Sequence, residues 1–62
     1  MEGPELARLR GLAGLTQEQL AAKMDEWGWY REKVARLEEC ERFCLYNAEM
    51  QALLEILGAR MG

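Results

Sequence analysis

Cys40 and Cys44 are the side chains best equipped for covalent or metal chemistry in this 62-residue chain, which contains no histidine. Four-coordinate zinc draws its ligands from Cys, His and carboxylates, and two thiols supply only half a set. A metal site would therefore need a second copy of the chain or acidic side chains. Placed on one helix, thiols four residues apart could approach each other, but a reducing compartment disfavours a bridge. Both are expected as small buried thiols. The chain pairs no nucleophile with a base, brings no two carboxylates into a plausible cleft, and has no glycine-rich phosphate loop. Its length leaves little interior for a substrate pocket. These features argue against an enzyme, and neither a metal nor a cofactor is expected.

Trp27 and Trp29, on either side of Gly28, offer a different chemistry. Exposed indole rings stack nucleic-acid bases where basic side chains line the path of the backbone. No strongly basic neighbourhood surrounds these two, so they are expected to cover a joint between helices. The overall charge weighs the same way, because eleven acidic residues exceed eight basic ones for a net −3. Neutralised phosphates supply most nonspecific affinity for DNA, so such affinity should be weak here. Charged faces that are not mainly basic disfavour membrane surfaces as well. No apolar run approaches the ~18 residues of a membrane span, and residues 1–10 lack the apolar core of a signal peptide. A cytoplasmic protein is expected.

The elements that position these residues follow from composition and spacing. Half of the chain is hydrophobic, the only proline is Pro4, and no alternating β-branched run occurs. An all-α single domain over residues 1–62 is predicted. Pro4 suits a first helical turn; Leu6 and Leu9 share a face, and Gly11 and Gly14 close the helix. Thr16 with Gln19 forms a capping box, with Leu15 and Leu20 placed as its hydrophobic staple. That second helix should run from Gln17 to Met24, burying Leu20, Ala21 and Met24. Gly28 permits a left-handed turn. A third helix is predicted from Tyr30 to Cys40, with Tyr30, Val34 and Leu37 facing inward. Glu32, Ala35, Arg36 and Glu39 then face outward, flanked by Arg31 and Lys33. Glu32 and Arg36 stand in the order that favours a surface ion pair. Residues 41–46 are apolar enough to pack over the helices. Asn47 caps a last helix whose stripe is Met50, Leu53, Leu54 and Leu57, with Ala52 and Ile56 off it and Gly58 as its stop. An exposed Ile56, together with residues 59–62, is a candidate contact for a homodimer.

Two short helices across a tight connection make a unit that presents its second helix to other molecules. In order, Leu9-Arg10, Gly14-Leu15-Thr16-Gln17, Leu20-Ala21, Val34, Leu37-Glu38 and Glu41-Arg42 resemble the Cro/repressor-type helix-turn-helix family of bacterial and phage regulators. This is also called the xenobiotic-response-element family. The likeness spans about Leu6 to Gly58 and looks like the actinobacterial and actinophage branch. It implies a compact four- to five-helix bundle of the lambda-repressor-like type. It also implies a transcriptional regulator that binds double-stranded DNA in the major groove, as a possible homodimer on a short palindrome.

Residue by residue, the resemblance gives Gln17 a phosphate contact and a bracing role, since helix N-termini favour anions. It places Arg31, Glu32, Lys33 and Arg36 at base edges, where arginine grips guanine and glutamate accepts from cytosine. Arg42 falls near a loop that contacts the DNA backbone, and Arg10 with Glu38 matches an ion pair joining the first helix to the third. Residues 25–29 are about three longer than the turn usual in that family. Cys40 stands in place of its usual glycine, Phe43 in place of a frequent proline, and Glu39 adds negative charge beside the expected groove contact. The alternative expectation is the same scaffold used to bind a protein, as an antirepressor, an antitoxin-like partner or a phage protein acting on host machinery.

Overall fold

Four α-helices and one short 3-10 turn make up the computed structural model, which describes residues 1–58. The helices are α1 (Gly3–Leu12), α2 (Gln17–Lys23), α3 (Arg31–Glu39) and α4 (Asn47–Leu57), with the 3-10 turn at Asp25–Trp27 between α2 and α3. The all-α expectation holds. The radius of gyration is 10.4 Å, against about 10.6 Å expected for a packed globule of this length.

Local chemistry explains where each helix begins. Pro4 sits in the first turn of α1, where its missing N–H leaves no gap in the ladder. At α2 the capping box is complete: the Gln19 amide donates to Thr16 Oγ1 (3.0 Å) and the Thr16 amide to Gln19 Oε1 (2.9 Å). Leu15 is half-buried against the cluster that contains Leu20, as a staple requires. For α3 and α4 the N-cap residues are Tyr30 and Tyr46, and neither provides a side-chain cap. Both helices instead have an apolar residue before the cap and another at the fourth helical position. These are Trp29 with Val34 in α3 and Leu45 with Met50 in α4, all packed in or on the core.

The interior is built from Leu6, Leu20, Ala21, Met24, Trp29, Val34, Phe43, Leu53 and Leu57. Helix α3 packs against both α1 and α2, whereas α4 makes its main helix contact with α1. The start of α1 lies directly against the end of α3, where the Gly3 amide donates to the Cys40 carbonyl at 3.0 Å. A Cβ at Gly3 would collide with the backbone carbonyls of Leu37, Glu38 and Cys40, so this approach needs glycine. Met1 and Phe43 exchange two hydrogen bonds of 2.8 Å, which pin residues 40–43 beside α1.

Several expectations need correction. Tyr30 is 52% exposed rather than part of the core, because it lies just outside α3 with extended backbone and no longer follows the helical period. Cys40 and Cys44 are both exposed. Cys40 ends α3 with extended backbone, and Cys44 falls in the following segment, where Phe43 is buried and Leu45 half-buried. The two thiols therefore do not share a helix. Gly11 lies inside α1, and it is Gly14 (φ 72°) that turns the chain. Asn47 is the first residue of α4, not its cap. Along α4, Leu53 and Leu57 are buried and Met50 packs on the core, as read in the sequence, but Glu49, Ala52 and Ile56 also turn inward and Leu54 is only half-buried. Ile56 is thus half-buried on the core, and residues 59–62, the other suggested dimer contact, lie outside the described residues.

Candidate nucleic-acid interface

The third helix is held between two carboxylates, one near each end. Towards its C-terminus, Glu38 receives Arg10 Nε (2.5 Å) and Arg10 Nη2 (3.3 Å) from α1, and Gln17 Nε2 (3.0 Å) from the first residue of α2. Arg10 Nη1 also donates to the Leu15 carbonyl at 2.8 Å, which ties the α1–α2 connection into the same cluster. The hydrogen bonds to Glu38 raise the Arg10 pKa above its ordinary value, against a smaller opposing effect of burial. The expected ion pair between the first and third helices is present in this form.

Before the other end, Gly28 takes a left-handed conformation (φ 78°) and swings the chain so that Trp29 enters the core. Its indole Nε1 donates to Glu49 Oε2 on α4 at 2.7 Å. Lys33 Nζ lies 4.0 Å from the same oxygen and 5.3 Å from the Trp29 ring centroid. Trp29 covers the joint between helices, as expected for that residue; Trp27 stays on the surface.

These two fastenings decide which of the candidate residues face outward. Arg31, Glu32 and Arg36 are exposed on α3, and Arg42 is exposed in the segment that follows. Arg31 Nε comes within 3.9 Å of Glu32 Oε2, and the expected Glu32–Arg36 pair does not form. Gln17 is half-buried, and its amide group is turned to Glu38, which supports the bracing part of its expected role. Lys33 is set apart from the others, since it is half-buried and leans across Trp29 towards Glu49. Glu39 is exposed beside Arg36, so the outer side of α3 carries two arginines and two glutamates. That face is charge-balanced, neither basic nor dominated by its acids.

Glu49 was missed in the sequence. The available signal was its place at the head of the inward side of α4, three and four residues before Ala52 and Leu53, where an acid on an apolar face calls for buried partners. Among the described residues, no three Cys, Asp or Glu side chains converge as a metal-binding group. Arg42 lines a surface recess with Glu2, Cys40 and Glu41. A second recess, of about 400 Å³, is lined by Lys33, Cys44, Leu45, Tyr46 and Glu49. In comparisons with family models, curated proteins and solved structures, nothing matches this chain.

Proposed function

We propose that this chain is a small transcriptional regulator that binds duplex DNA selectively through the outer side of α3. One observation carries the reading: α3 is fastened on its inner side near both ends, while Arg31, Glu32 and Arg36 stand in solvent on its outer side. A rigid helix with unburied arginines suits the major groove, which is about 12 Å wide and admits one helix. Arg31 and Arg36 each offer a planar fork to guanine, and Glu32 can accept from a cytosine amine. Arg42 and the start of α2 serve the phosphate backbone, and two copies on a palindrome supply two half-sites.

Binding-site selection from random duplex DNA tests this, followed by titration of Arg31→Ala and Arg36→Ala. Each substitution is expected to weaken the selected site by about 1–3 kcal/mol and to relax preference at one base pair, with unchanged helical circular dichroism. An empty selection, or equal affinities for wild type and variants in matched salt, overturns the proposal.

A second reading has its own support. Tyr46 is 83% and Leu12 73% exposed, and the balanced face of α3 gives little pull towards phosphate. The helix-turn-helix scaffold would then serve a protein partner. Retention on DNA at low salt separates the two, since a protein-binding module shows none.

A further inference from the structure

We infer that Glu49 is a positioning residue for the first turn of α3, acting through Trp29 and Lys33; its part in recognition rests on the DNA-binding reading above. Glu49 is the single buried charged side chain among the described residues. A buried carboxylate is stable only when paired, and here the indole N–H and a lysine ammonium supply the pairing. The ammonium also lies over the indole ring, so the three groups close a triangle.

The placement of that triangle gives it a role. Trp29 is the residue before the N-cap of α3, and Lys33 is the third residue of the helix. Between them stand Tyr30, Arg31 and Glu32, so the segment that offers Arg31 and Glu32 is tied at both ends to one oxygen of α4. A first helical turn lacks intrahelical partners for its N–H groups and frays unless it is held. Tyr30 provides no side-chain cap, and α3 and α4 otherwise make little contact. The Glu49 carboxylate is therefore the polar tie that fixes the first turn of α3 against α4, while Glu38 holds the far end. Lys33 belongs to this tie and not to the base-reading set.

The test is amide hydrogen exchange and DNA titration on the full chain with Glu49→Ala, Glu49→Gln and Trp29→Phe. The Lys33 and Val34 amides, both bonded to the Tyr30 carbonyl (3.0 and 3.2 Å), report the start of α3. The Cys40 amide, bonded to the Arg36 carbonyl (3.1 Å), reports its end. Glu49→Ala is expected to speed exchange at the start about tenfold more than at the end. Glu49→Gln keeps an acceptor for the indole and restores most of the protection. Trp29→Phe, which keeps an aromatic core residue, gives the same local pattern if Glu49→Ala does not fold. In titrations, the affinity ratio between selected and random duplex falls about tenfold in Glu49→Ala and recovers partly in Glu49→Gln.

Equal acceleration at both ends would mean a loss of overall stability only and would overturn the proposal. So would local loosening with an unchanged affinity ratio. A wild-type chain with no sequence preference refutes the DNA reading alone, and the exchange contrast then decides whether Glu49 holds this turn.

Discussion

At Arg10, one guanidinium makes three hydrogen bonds, two to Glu38 and one to the Leu15 carbonyl, and so joins α1, α3 and the start of α2. Arg10→Ala leaves Glu38 with only Gln17 and is expected to cost about 2 kcal/mol, read as a lower urea midpoint with unchanged slope. Arg8→Ala is the control, because its pair with Glu5 is much more exposed, and the midpoint at neutral pH should move far less than in Arg10→Ala. The pH behaviour of the two pairs also differs. The Arg8 hydrogen bond holds Glu5 below the usual carboxylate value, so the small gain from that pair is present above that value and is lost as pH falls through the folded pKa. For Arg10 the shift is upward, so while Glu38 is ionised its contribution is present below the ordinary arginine value and is lost as pH rises through the folded value, in strong alkali. The thiols give a second check at this scale. Both cysteines are exposed, so a thiol reagent should titrate two groups per chain without denaturant; one or none would contradict the placement of residues 40–44.

Among the helices, α1 depends most on a close approach to its neighbour. Gly3→Ala would push a methyl group into the carbonyls at the end of α3, and a loss of about 1–3 kcal/mol in thermal or urea melts is expected. Thr16→Ala opens the capping box of α2 and should cost about 1 kcal/mol. The difference between these two sites shows what was legible in the sequence. The capping box is local, spelled by Thr16 and Gln19 three residues apart, and Gly28 and Gly58 mark left-handed turns in the same way, whereas Gly11 and Gly14 look alike in the sequence and only Gly14 turns the chain. Gly3 looks like any glycine before a proline, because the group that forbids a side chain there is contributed by residues 37–40. Long-range partners also limited the reading of α4. Met50, Leu53 and Leu57 of the apolar pattern do face the core, but nothing local to α4 tells that Glu49 also turns inward, since its partner is the Trp29 indole 20 residues away. Tyr30 falls outside the core because the helical period does not reach the extended backbone at the N-cap of α3, and Cys40 and Cys44, expected as buried thiols on their size and apolar character, are both exposed. Of the proposed interface, Glu32 and Arg36 were recoverable from period alone, while period put Arg31 on a flank beside Lys33, and its exposure came only with the structure. Lys33 was not, because its partners lie on another helix and in the preceding turn.

For the molecule as a whole, the distribution of charge sets how DNA binding must behave if it occurs. The net charge is −3, Arg10 is committed to Glu38, and Lys33 is drawn towards Glu49. That leaves Arg31, Arg36 and Arg42 as the exposed cations on α3 and the segment after it, and they share that stretch with Glu32, Glu39 and Glu41. A binder that neutralises few phosphates releases few counterions, so its affinity falls gently with salt. With at most three phosphate or base contacts from these arginines, the slope of log affinity against log salt should be no steeper than about −3 per copy. Fluorescence anisotropy on a labelled random duplex between 50 and 200 mM salt measures it. Nonspecific binding should be weak across that range, so selectivity would have to come from the geometry of α3 rather than from general attraction. Arg42→Ala should then make the slope shallower by about 1 without changing which sequences are preferred, whereas Arg36→Ala should alter the preference. A slope steeper than about −6 per copy would require a basic surface that α3 and its neighbours do not have, and it would move the contact elsewhere on the chain.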